Sequence, residues 1–269
     1  MTYETLKIEK DGAVDRVTLN RPDSLNALNP QMVDDLLDYF AKLYWDRSVR
    51  VVTLKGAGKA YCAGLDLKAR SNSSAEAVNT RGPADGLVSQ RRISEIVMRM
   101  RRCPQPIVSM IHGPACGGGF ALALASDIRI AGQSARMNAA FIRIGLSACD
   151  IGVSYFLPRL VGVSVASELM LTGRFINAER ALRVGLVSEV VPDDALESAA
   201  APYVTEMLTT SPLGLRMTKE CLNMSVDAGS LEAAIAMEDR NQILCAQTQD
   251  FGEGVRAFLE KRAPAYADR

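Results

Sequence analysis

Side chains that usually carry catalysis are scarce in this chain, and what remains points toward chemistry done by the backbone. One histidine is present, His112, closing an apolar run; it leaves a Ser-His-Asp triad a single candidate base and offers no His-carboxylate spacing for a metal. His112 is read as the end of a strand, and no metal site is expected. The six cysteines, at 62, 103, 116, 149, 221 and 245, form no C-x-x-C pair and read as reduced thiols. Attention falls on Ile111 to Asp127, IHGPACGGGFALALASD, where an apolar run enters three glycines and leaves as a helical pattern of Ala and Leu. Glycine lets the backbone approach a ligand closely, and the first N–H groups of a helix have no intrahelical acceptor. Such groups attract an anion or a developing oxyanion, helped by the helix dipole. The other use of such a turn is a tight helix entry packed on a neighbour.

A second segment has the same form. VVTLKG at 51–56 is a β-branched run that ends in glycine and is followed by Gly58 to Lys68, GKAYCAGLDLK. In alternating layers of strand and helix, parallel strands carry their following loops to the same edge, where ligands bind. Two backbone N–H groups could then converge on one oxygen.

The elements that must hold these two loops are legible in order. Leu6 to Asn20 alternates around Lys10-Asp11-Gly12 and reads as a hairpin. Asn29-Pro30 reads as an N-cap with proline in the first helical position, opening a helix over about 30 to 46 with Met32, Val33, Leu36, Leu37, Phe40 and Leu43 on its apolar side. Val49 to Lys55 and Ile107 to Ile111 read as buried strands. Ser71 to Gly86 lacks apolar periodicity and is expected to be mobile, as a surface loop or as a lid. Helices are expected at Val88 to Arg102, Ser164 to Leu171 and Asn177 to Val184, with Gly185 as a stop, and almost throughout beyond Pro192.

Composition narrows the function classes. With 269 residues, 48% hydrophobic, the chain can bury one large core. Its 31 basic and 31 acidic side chains cancel, so no field favours nucleic acid or an anionic membrane. No signal-type apolar segment opens the chain and no run is long enough to span a bilayer, so a cytoplasmic protein is expected. A nucleotide-phosphate binder built on the triple glycine ranks last, since neither G-x-x-x-x-G-K-[ST] nor G-x-G-x-x-G is present.

Taken together, LNRPDSLNALN at 19–29, GKAYCAGLDLK at 58–68, IHGPACGGGFALALASDIRIA at 111–131, LPRLVG at 157–162, GLVSEVV at 185–191 and GVRAFLEKRAPAY at 254–266 resemble the enoyl-CoA hydratase/isomerase (crotonase) superfamily. The resemblance runs over nearly the whole chain and implies an α/β fold: a crotonase-like spiral of ββα units over residues 1–200, then a helical C-terminal oligomerisation region over 201–269. It implies an acyl-CoA thioester as ligand, with no cofactor beyond the coenzyme A of the substrate, and a homotrimer or homohexamer. The resemblance also implies that the thioester carbonyl sits between the N–H groups of Leu65 and Gly118, each donor worth about 3 to 4 kcal/mol. For CoA it implies Asp23, Ser24, Leu25, Ala63, Asp66, Leu67 and Lys68, with Phe258 and Lys261 arriving from a neighbouring subunit. Without the resemblance, Lys261 reads as a solvent-facing charge.

The carboxylates depart from the family pattern. Hydratases of this kind bracket a water with two glutamates; the matching positions here are Ala121 and Phe141, and neither can move a proton. Asp150, in LSACDIGVSYFLPRLVG, matches an acid of the dienoyl-CoA isomerase and dihydroxynaphthoyl-CoA synthase branches, and burial there would raise its pKa. Its other reading is an N-cap for a helix beginning near Val153. The expected function is hydration or double-bond isomerisation of an enoyl-CoA, the alternative a non-catalytic acyl-CoA-binding protein.

Overall fold

The computed structural model describes residues 2–68 and 82–269. A hairpin opens the chain, β1 (Leu6–Asp11) against β2 (Val14–Leu19), antiparallel about the Asp11–Gly12 turn as the alternation requires. Helix α1 (Pro30–Leu43) follows; the Asn29 side chain accepts from Met32 N–H at 2.9 Å, and Pro30 costs no hydrogen bond at the first helical position. The helix stops at Leu43, three residues short of the expected end. There the Asp46 carboxylate accepts from Ser48 N–H at 2.9 Å, which stabilises a turn in place of another helical one.

From β3 (Val51–Gly56) onward the chain repeats one motif: a strand in a large sheet, an extended segment in a small sheet, then a helix. β3 is followed by Cys62 and α2 (Pro83–Arg102); β4 (Ile107–Ile111) by β5 (Pro114–Cys116) and α3 (Gly118–Ala125); β6 (Ile128–Gly132) by β7 (Arg136–Asn138) and α4 (Val153–Thr172). β8 (Ile176–Asn177), α5 (Ala178–Arg183) and β9 (Glu189–Val191) close the series. The large sheet has the order β1-β2-β3-β4-β6-β9, parallel from β2 onward, and the small sheet the order β5-β7-β8. This is the ββα spiral of an α/β protein. Its core fills the space between the sheets and α1 to α4 with Leu36, Phe40, Leu54, Tyr61, Ile111 and Phe120.

Two helices differ from expectation. α2 begins at Pro83, five residues early, because residues 83 to 89 are all exposed and carry no apolar periodicity. The remainder of the expected mobile stretch, 71 to 81, lies outside the described residues. Helix α4 begins at Val153, and its expected part, 164 to 171, follows a break at Gly162 (φ 77°, ψ 160°).

Beyond Pro192 the chain is helical: α6 (Leu196–Leu208), α7 (Pro212–Ser225), α8 (Leu231–Ala246) and α9 (Gln249–Leu259). Residue 200 lies inside α6, which packs on the large sheet against Val51, Val108 and Ile130. Helix α7 is pinned by Lys219, whose buried ammonium donates to Gln105 O at 2.8 Å and pairs with Asp127 at 2.8 Å. None of the residues of α8 is buried.

Candidate active site

The segment Cys62 to Asp66 is stitched on both sides by its backbone. Toward β5, Cys62 N–H donates to Pro114 O (3.1 Å) and Cys62 O accepts from Cys116 N–H (2.9 Å). Toward the first loop, Ala63 N–H donates to Leu25 O (2.9 Å), Gly64 O accepts from Leu28 N–H (2.7 Å), and Asp66 N–H donates to Leu28 O (3.0 Å). In an extended chain successive residues turn their N–H and C=O to alternate sides, so residue 64 should face β5 as residue 62 does. It faces Leu28 instead, because Gly64 takes φ +95°, a conformation reserved for glycine. The reversal turns the Leu65 N–H toward the β5 side, where no acceptor meets it among the described residues.

The triple glycine occupies that side. Gly117, at φ +50°, donates to Asn138 O (2.9 Å) and its own carbonyl accepts from Ala121 N–H (2.9 Å), which starts α3. The N–H groups of Gly118, Gly119 and Phe120 then have no acceptor among the described residues. Close approach explains why glycine is needed: a Cβ on Gly119 would lie 2.1 Å from Cys62 O, and one on Gly64 2.7 Å from Cys116 O and 3.5 Å from Gly118 N. The glycines are thus a tight packing device, and the same packing brings Gly64 against Gly118 while the Leu65 and Gly118 N–H groups keep no acceptor among the described residues.

The thiols flanking this pair are inert. Burial pushes Cys62 up to about 12 and Cys116 up to about 11, so both stay protonated at neutral pH and neither is a nucleophile.

Asp150 lies in the turn that leads into α4. It is not the N-cap: Gly152 is, at φ +82°, with no side-chain cap bond. The carboxylate Oδ1 accepts from Gln90 Nε2 of α2 at 2.5 Å and from Ile151 N–H at 2.9 Å. Ile151 has φ +47°, a costly setting for a β-branched residue, and its side chain is buried, its Cδ1 3.6 Å from where a Gly118 Cβ would be. The Asp150 turn therefore abuts the start of α3.

Ala121 and Phe141 are buried, and the Phe141 ring covers Gly117, with Cε1 3.4 Å from where its Cβ would be. Of the residues expected to touch CoA, Ala63, Asp66, Leu67 and Lys68 continue from the stitched segment, and Asp23, Ser24 and Leu25 stand exposed in the adjoining loop. The Asp66 carboxylate is held by Arg21 at 2.9 Å. Phe258, near the end of α9, and Lys261, in the turn that follows it, are both exposed.

Four residues that hold the site escaped the sequence reading. Arg21 bridges Asp66 and Ala27 O, and buried Asn26, at φ +56°, donates to Ala57 O and Ala60 O, both at 2.8 Å. Gln90 and Ile151 hold Asp150. Asn26 had a signal, since Asn tolerates the left-handed region in a turn-rich run; Gln90, in an exposed polar stretch, had none. A cleft of 1170 Å³ between α2, α4 and α7 reaches the Asp150 turn at Gly152. The buried Lys219 that lines it is already paired, with Asp127 at 2.8 Å.

A family profile described as enoyl-CoA hydratase/isomerase matches residues 9–269. The chain belongs to that family. Its fold is the crotonase fold: an enoyl-CoA hydratase from Bacillus anthracis superposes with a TM-score of 0.91 at 31% identity, over 99% of this chain and 100% of that one. Probable enoyl-CoA hydratase EchA12 of Mycobacterium tuberculosis is 41% identical over 254 residues, 94% of this chain and 89% of its own length. The 1,2-epoxyphenylacetyl-CoA isomerase of Escherichia coli is 34% identical over 255 residues, 94% of each chain. Enoyl-CoA hydratase/isomerase chemistry is thus the activity of the family to which this enzyme belongs.

Proposed function

We propose that this enzyme relocates a proton on an acyl-CoA thioester, shifting a double bond, and does not add water. The single observation that carries this reading is the pair of unbonded donors at Leu65 and Gly118 with the Asp150 turn beside them, while Ala121 and Phe141 line the same region with carbon. The thioester oxygen accepts from both N–H groups. Asp150 takes a proton from a carbon of the acyl chain, the C–H electron pair moves into the conjugated system as an enolate on that oxygen, and Asp150 returns the proton at another carbon. The donors act where negative charge grows, which is where a fixed dipole stabilises most.

In this reading Asp23, Ser24, Leu25, Ala63, Asp66, Leu67 and Lys68 hold the CoA moiety, and no cofactor beyond that CoA takes part. Residues 1–200 form the acyl-CoA core, and residues 201–269 join copies into a homotrimer or homohexamer, bringing Phe258 and Lys261 to a neighbour's CoA. The exposed apolar residues of α8 and α9 support assembly: Leu231, Ile243, Leu244 and Phe258 face solvent in the single chain. Phe141 and Leu65 favour an apolar acyl group, and the relative named for a phenylacetyl thioester extends that class to rings. Among the described residues no helix is long and apolar enough to cross a membrane, consistent with a cytoplasmic enzyme.

A second reading, an acyl-CoA-binding protein without chemistry, is favoured by Ala121 and Phe141 alone. Mass spectrometry in deuterated water separates the two. Enoyl-CoA, dienoyl-CoA and cyclic acyl-CoA thioesters should take up deuterium or isomerise with the wild type, and about 10² to 10⁴ more slowly with Asp150→Asn, which still binds them. Thioesters that bind unchanged and exchange no proton would leave the binding protein as the better account.

A further inference from the structure

Among the described residues, the donors that meet the Asp150 carboxylate differ in kind. Ile151 N–H belongs to the strained turn itself, but Gln90 comes from α2, sixty residues away in sequence, and meets Oδ1 at 2.5 Å. Residues 83 to 89 of α2 are exposed, as are Arg91 and Arg92; Gln90 is the first residue of the helix that is not. A long flexible side chain is costly to immobilise, and in this half of the helix it is Gln90 that turns inward, onto Asp150.

The second anchor is apolar. Ile151 is buried and its Cδ1 reaches the start of α3, so the turn is clamped against the oxyanion donors while its backbone remains in the left-handed region. Such a turn fixes where residue 150 begins, but leaves its side-chain torsions to be set by whatever the carboxylate touches. A neutral amide donor is suited to this task, because it can hold Oδ1 without supplying a proton or a full charge to the reacting centre.

We propose that Gln90 is a positioning residue of this site, helping to orient the Asp150 carboxylate for proton transfer. The role rests on Asp150 being the base, as above, so the experiment must separate the two claims. In deuterated water, Gln90→Met, which keeps the length and apolar stem but loses the donor, should lower kcat about tenfold or more and leave KM within about twofold. In an Asp150→Asn background the same change should have no further effect on the residual rate, since positioning acts only through the carboxylate. A raised KM with unchanged kcat, or an equal loss in both backgrounds, would mean that Gln90 merely docks the helix and would overturn the proposal. If the wild type exchanges no proton, the assignment of Asp150 as base fails, and a crystal structure of Gln90→Met then decides the positioning claim alone. Asp150 in several side-chain orientations supports it; Asp150 in its present single orientation overturns it.

Discussion

Helices α3 and α8 are both rich in Ala and Leu, yet every residue of α3, GGFALALA, is buried, and no residue of α8, LEAAIAMEDRNQILCA, is. The difference lies in what surrounds them. α3 has no polar face, so it must lie inside, and its two glycines, Gly118 and Gly119, let it lie directly on the Cys62–Gly64 backbone. α8 mixes Glu, Asp, Arg and Gln with Leu and Ile, which water tolerates but which leaves Leu231, Ile243 and Leu244 uncovered. One helix is covered by the chain's own packing; the other leaves apolar side chains to solvent, the feature on which the proposed assembly rests.

The comparison breaks most sharply at Gly119. A Cβ there would meet Cys62 O at 2.1 Å, a backbone atom that cannot rotate away. Gly119→Ala should cost about 3 kcal/mol or more, lower the melting temperature by roughly 10 °C and abolish turnover. A variant that melts like the wild type would show that α3 has room to move. On the other helix, Leu244→Asp should leave the melting of the core nearly unchanged and yet dissociate the proposed homo-oligomer, read by sedimentation. Retention of the wild-type mass at low micromolar concentration would remove α8 from the interface.

The smallest effect concerns a contact between these extremes, Glu168 of α4 with Arg180 of α5 at 2.6 Å. Hydrogen bonds from Arg180, with Arg174 beside it, hold the Glu168 carboxyl down at about 2, from an ordinary value near 4.5. Because the folded value lies below the unfolded one, the contribution is complete above about pH 4.5 and is lost as pH falls toward 2. The pair is exposed, so the contribution is small. The gap in melting temperature between wild type and Arg180→Ala should therefore be narrower at pH 3 than at pH 6; a gap that widens on acidification would reverse the assignment.

Much of the scaffold could be read before any coordinates. The hairpin turn at Asp11-Gly12, the Asn29 and Asn177 caps and the strands at Val51 and Ile107 are local matters, decided by alternation, capping chemistry and β-branching within a few residues. The departures have physical causes too. α2 starts early because its first turns are exposed and leave no periodic trace, and Gly152 caps α4 because the Asp150 carboxylate is taken by Gln90 and its own neighbour.

The order of residues alone supplied the pair of glycine segments, apolar Ala121 and Phe141 where the resemblance expects glutamates, and a carboxylate at Asp150: a list of chemical parts. Only the tertiary structure decided how they meet. It turned the Leu65 N–H to the β5 side through the reversal at Gly64, set Ile151 against α3, and brought Gln90 across sixty residues to Asp150. Backbone donors carry no side-chain signature, and a long-range hydrogen bond has no local pattern. Both depend on which segments pack together, and that is settled by the burial of the whole core.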